Sequence, residues 1–98
     1  MQRKRARDLK TEIMDAALQV ATKTGIPDLT REAVAEHANV STGAVSTHYG
    51  TMHKFRRAVA RRAIRDENVP LLVPLLTSAK YGDLLKGELR EQAISQLR

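Results

Sequence analysis

The residues best suited to acid–base or metal chemistry are His37, His48 and His53, and their spacing defeats both uses. No two stand four apart on a helix face, and the chain has no cysteine to complete a zinc set. Ser41 and Ser46 lack the spaced base and orienting group that activate a hydroxyl. The acidic residues are scattered, and no glycine-rich phosphate loop is present. Met52, Phe55 and Val59 could frame a ligand box, but their helical spacing reads as ordinary core. No catalysis, cofactor or metal is expected.

The chemistry that the chain does offer is electrostatic. Its 98 residues carry 17 Lys/Arg against 11 Asp/Glu, a net charge of +6. Residues 1–65 hold thirteen cations against six acids, whereas residues 66–98 hold four against five. From His37 to Arg65 no acidic residue occurs, while Lys54, Arg56, Arg57, Arg61, Arg62 and Arg65 all do. Cations confined to part of a chain mark a footprint for a polyanion such as nucleic acid. The alternative is a merely solvated basic helix face.

Other classes drop out. The longest apolar-looking stretch, Val69 to Leu76, is far short of the roughly 20 residues of a membrane span. The basic start MQRKRAR has no apolar run behind it, so export is not expected. The chain reads as soluble and cytoplasmic. Its length suits one small domain whose marginal core a dimer interface would supplement.

These cations need a frame, and periodicity supplies one. Residues 1–7 read as a basic arm. A first helix from about Asp8 places Leu9, Ile13, Ala16, Ala17 and Val20 on one face, and Thr24-Gly25 ends it. Thr30 caps a second helix ending near Ala38. Asn39 tolerates the left-handed backbone of a sharp corner. Ser41 caps a third helix to Tyr49, which Gly50 ends. Thr51 caps a fourth, with Met52, Phe55, Val59 and Ala63 as its apolar stripe. Pro74 argues against an unkinked helix running on from Pro70, so Asn68 to Pro74 reads as a break or a short first turn, and a helix resumes from about Pro74 to Lys80. A last helix from Asp83 carries Leu85, Leu89, Ala93 and Leu97 at intervals of four. The expected fold is all-α, a bundle of about five to six helices. Residues 8–66 form a DNA-binding domain in this reading, and residues 67–98 a helical segment.

The stretch Thr30 to Tyr49, TREAVAEHANVSTGAVSTHY, meets the demands of a helix-turn-helix in register. Ala35 is small where the following helix must cross closely, and Asn39 stands four residues on, at the corner. Val34, Ala38, Val40 and Val45 can form the shared core. Thr42, Gly43, Ala44, Ser46 and Thr47 then face outward, small enough for a major groove about 12 Å wide.

Residues Ile13 to Val59 resemble the DNA-binding domain of tetracycline-repressor-type (TetR) regulators. Ile13-Met14-Asp15-Ala16-Ala17 is similar to that family's opening I-x-x-A-A. The run Ala35-Glu36-His37-Ala38-Asn39-Val40-Ser41-Thr42-Gly43-Ala44-Val45-Ser46-Thr47-His48-Tyr49 resembles its A-x-x-A-G-V-S-x-G-x-L-Y-x-H-F. Asn39 replaces the corner glycine, Ser46 the frequent tyrosine, and Met52 the usual lysine after the fourth helix's cap. The resemblance implies a DNA-binding regulator of transcription. It makes Thr42, Gly43, Ala44, Ser46 and Thr47 candidates for base contact and His48 for phosphate contact, and it packs Tyr49 inward with its hydroxyl near the backbone. Thr30, Ser41 and Lys54 are further candidates for DNA contact. Arg3, Lys4 and Arg5 reach the DNA backbone or a minor groove, or serve as a solubilising tail.

Family members usually continue into a helical domain of well over a hundred residues. The expectation is therefore a minimal regulator, of the kind phages and plasmids encode, with no small-molecule effector and no membrane partner. Leu85, Leu89, Ala93 and Leu97 cover this protomer's own core or pair two protomers, and a homodimer on a pseudo-palindromic operator is the expectation. A recombination or replication accessory factor and a protein-interaction module of the anti-repressor type are the competing readings.

Overall fold

A computed structural model describes residues 6–77 and 88–96. Helix α1 (Ala6–Thr24) turns Ile13, Ala16 and Ala17 inward, with Met14 and Ala21 widening the same stripe. Leu9 and Val20 pack at its edge. The helix starts at Ala6, so Ala6 and Arg7 of the expected arm are helical. Gly25 ends it at φ 86°, its N–H donating to the Ala21 carbonyl. A residue with a Cβ adopts such a φ only under strain. One 3-10 turn (Ile26–Asp28) follows and buries Ile26.

Three hydroxyl caps then start three helices. The Thr30 oxygen accepts from the Ala33 N–H at the head of α2 (Arg31–Ala38). Ser41 accepts from Ala44 at the head of α3 (Thr42–Tyr49), and Thr51 from Lys54 at the head of α4 (Met52–Arg65). Each such cap satisfies one helix-end N–H that would otherwise lack a partner, a contribution of about 1 kcal/mol. Asn39 forms the corner between α2 and α3 at φ 58°, ψ 47°, with its N–H on the last carbonyls of α2.

Phe55, Val59, Ala60 and Ala63 of α4 have no exposure, and Val34, Ala35 and Val45 close over them from the helix-turn-helix. Ala38, Val40 and Met52 are only partly buried and pack at the margin. After α4 the chain turns at Glu67, φ 55°, while the Asn68 N–H donates back to the Ala63 carbonyl at 2.8 Å. Glutamate occupies a left-handed position that glycine or asparagine usually takes, at a cost of about 1 kcal/mol.

The tail corrects the expectation of a break before Pro74. Helix α5 (Val69–Thr77) runs through Pro74. Leu71, Leu72 and Leu75 are buried, at most 4% exposed, while Pro70, Val73 and Pro74 face outward. The missing bond from Pro74 therefore frees a carbonyl on the wet side of the helix, and burial of three leucines outweighs its loss. Helix α6 (Glu88–Gln96) packs on α4 and α5. Its Ala93 is fully buried in the shared core, and the Gln96 side-chain amide donates to the Ile64 carbonyl. The expected start at Asp83 and helix end at Lys80 lie outside the described residues. The fold is all-α, with six helices and one 3-10 turn among the described residues.

Candidate DNA-binding surface

Helix α3 is held from behind and open in front. Val45 faces inward at 1% exposure, with Ala44, Ser46, His48 and Tyr49 half-buried on the flanks. Ser41, Thr42, Gly43 and Thr47 are exposed on the outer face. Two hydroxyls fold back onto the helix: Thr47 donates to the Gly43 carbonyl at 2.9 Å and Ser46 to that of Thr42 at 3.4 Å. With their protons so used, both oxygens keep lone pairs to accept from donors such as base amino groups. The Thr47 methyl offers an apolar contact of the sort made to thymine.

Gly43 carries a sharper message. A Cβ built there would meet only the Ser41 oxygen, at 3.7 Å, an ordinary contact. Neither backbone angle nor packing requires glycine, and in a helix glycine costs up to about 1 kcal/mol against alanine. What the missing side chain provides is close approach from outside. Gly50 differs: its φ of 75° makes it a structural glycine at the end of α3.

Two attachments fix the tilt of α3, and the first sets the Tyr49 hydroxyl on the backbone as the family resemblance implies. The Tyr49 hydroxyl donates to the Lys10 carbonyl at 2.8 Å, and the Lys10 ammonium sits 5.4 Å from the Tyr49 ring centroid. The ring also packs on Phe55, with centroids 4.8 Å apart. Burial raises the Tyr49 pKa above its ordinary value; nearby Arg62 opposes that rise and Asp15 adds to it. The phenol therefore stays protonated and keeps donating. Behind α2, the Arg56 guanidinium donates to the Leu29 carbonyl at 3.0 Å, and His37 shares a 2.7 Å hydrogen bond with Gln19. Arg56 is thus engaged within the scaffold, whereas the His37–Gln19 bond ties α2 to α1 at the exposed surface.

The remaining candidates separate by place. Thr30 is exposed at the head of α2 and Lys54 at the head of α4. Arg3, Lys4 and Arg5 lie outside the described residues, as do Leu85 and Leu97. Leu89 lies on α6. Ala93, expected with Leu85, Leu89 and Leu97 either to cover the protomer's own core or to pair protomers, is buried in the protomer's own core. No group of His, Asp or Glu able to hold a metal ion occurs among the described residues. None of the described helices is long and apolar enough to cross a membrane.

Two short helices hinged at a left-handed asparagine, the second small-sided and open in front, define a helix-turn-helix protein of the DNA-binding class. Residues 13–59 match the family model described as bacterial regulatory proteins, tetR family, and this segment is a TetR-type helix-turn-helix DNA-binding domain. The family is one of regulators, not enzymes. Over 57 residues, 58% of this chain, it is 35% identical to the HTH-type transcriptional regulator BetI of Burkholderia cenocepacia, and equally to BetI of Burkholderia ambifaria and Burkholderia mallei. The matched stretch spans 29% of the length of those relatives. They are bacterial proteins and give no support to a phage or plasmid origin. No solved structure matches the chain significantly.

Proposed function

We propose that this chain is a sequence-specific transcriptional regulator, a dimeric repressor that docks α3 in the major groove of duplex DNA in the cytoplasm. The observation that carries the reading is the outer face of α3, where Thr42, Gly43 and Thr47 stand exposed and Gly43 has no structural need to be glycine. Thr42, Gly43, Ala44, Ser46 and Thr47 meet base edges. Thr30, Ser41, His48 and Lys54 meet phosphates, with Arg3, Lys4 and Arg5 adding charge.

None of the base-facing residues is Arg, Lys, Asn or Gln. Bidentate pairs from those types discriminate by about 1–3 kcal/mol each, and hydroxyl and methyl contacts by less. One copy of α3 therefore specifies too little, and two half-sites read by a homodimer restore selectivity, with DNA shape contributing. Selection of bound duplexes from a random pool, followed by footprinting, tests this. The expected result is a pseudo-palindrome with half-sites about 34 Å apart, or a multiple, across a promoter. Protection confined to an attachment site or origin points instead to an accessory factor. Failure to enrich any duplex overturns the proposal.

A further inference from the structure

A second feature of the surface lies outside the set of residues proposed above to meet DNA, although its arginines belong to the basic run read as a polyanion footprint. Between the first half of α1 and the last half of α4 lies a cleft of about 350 Å³. Four cations ring it: Lys10, Arg61, Arg62 and Arg65. Of these, Arg62 is paired with Asp66 at 3.0 Å. Lys10, Arg61 and Arg65 have no carboxylate partner among the described residues. Arg61 and Arg65 stand four apart on one face of α4, so their guanidinium groups repel one another when nothing lies between them.

The cleft is not merely charged. Met14, Ala58 and Tyr49 also line it, which gives an apolar wall beside the cations. Its volume is at the lower end of small-molecule sites, where a few polar groups fix a mostly apolar ligand. Arginine suits a planar oxyanion, because its forked donors match a carboxylate in pairs. Its α4 end also lies away from the head of that helix, where Lys54 is a candidate for DNA contact. Arg61 is ten residues beyond the Thr51 cap, about 15 Å along the helix axis.

We infer that this cleft is a binding site for a small organic anion, a carboxylate on an apolar body, held by Arg61, Arg65 and Lys10 with Met14 and Tyr49 against its apolar side. This departs from the expectation of no small-molecule effector. It does not depend on how α3 reads DNA. The two sites are nevertheless joined, because Tyr49 is both a wall of the cleft and the last residue of α3.

The test is an NMR titration of the full chain at constant ionic strength, with benzoate in one arm, inorganic phosphate in a second and chloride in a third. Saturable benzoate shifts are expected, centred on Lys10, Met14, Tyr49, Ala58, Arg61 and Arg65. Affinity should fall at least about tenfold in the Arg61→Gln/Arg65→Gln double variant, which keeps both side-chain stems, and stay unchanged in Lys23→Ala. Saturation by phosphate but not benzoate would assign the cations to a nucleic-acid backbone and overturn the inference. So would non-saturable shifts, equal effects of chloride, or full affinity in the double variant. The spectrum of the double variant without ligand reports whether it is folded. Should it not be, Arg65→Gln alone is read in the same way.

Discussion

The Tyr49 hydroxyl and the Lys10 carbonyl oxygen, 39 positions apart in sequence, lie 2.8 Å from one another and join the end of α3 to the first turns of α1. The bond aims the outward face of α3. Replacing Tyr49 by Phe keeps the ring on Phe55 and removes only the donor. We expect Tyr49→Phe to lower stability by about 0.5–1.5 kcal/mol, read from the urea midpoint with an unchanged denaturant slope. An unchanged midpoint would mean that the bond holds nothing.

The same residue sets a pH dependence. Its folded-state pKa is raised, mainly by burial. As pH rises past about 10, the unfolded phenol ionises first and the native state holds more protons. Stability is therefore fully present below the unfolded pKa and is lost as pH climbs through the folded one. Other groups titrate here too, so the informative quantity is the difference between the native protein and Tyr49→Phe. Denaturation curves from pH 9 upward should converge for the two proteins.

Asn39 holds the corner at φ 58°. Asn39→Gly should fold with equal or slightly greater stability, and Asn39→Val should lose about 1–2 kcal/mol, since a branched side chain fits a left-handed backbone poorly. Thermal denaturation of the pair checks this. Equal melting temperatures would show that the turn relaxes.

At Gly43 stability and function are predicted to move in opposite directions. Gly43→Ala should stabilise the fold by up to about 1 kcal/mol and weaken DNA binding, because the added methyl occupies space that the fold leaves open. A gain in stability with unaltered DNA affinity would place Gly43 outside the interface.

If about six phosphates are neutralised, log K should fall against log salt with a slope of roughly −5. Fluorescence anisotropy across a salt series measures it. A binding constant indifferent to salt would contradict the role given to the cations.

Much of this architecture was legible in the chain. Thr30, Ser41 and Thr51 announce helix starts, and Asn39 announces the corner, because capping and left-handed backbone are decided within a few residues. The inward place of Val45 could be read the same way, but Ala44, expected outward beside Thr42 and Thr47, packs against the core. What local pattern could not supply was set by partners distant in sequence. Pro74 reads as a breaker until Leu71, Leu72 and Leu75 are seen against the core. Glu67 carries no sign of a left-handed turn. Arg56 looks like a surface cation for DNA, yet its guanidinium serves the Leu29 carbonyl within the scaffold. Ala93 has the spacing of an interface residue and the burial of a core one.

The most direct measurement is operator affinity of Thr47→Glu beside the native protein, with denaturation midpoints recorded for both. Thr47 is exposed, so an acid there leaves packing intact and sets a negative charge against the DNA. Affinity should drop on the order of 100-fold or more while the midpoint stays put. Native-like affinity in a folded Thr47→Glu protein would contradict the docking of α3 in the groove.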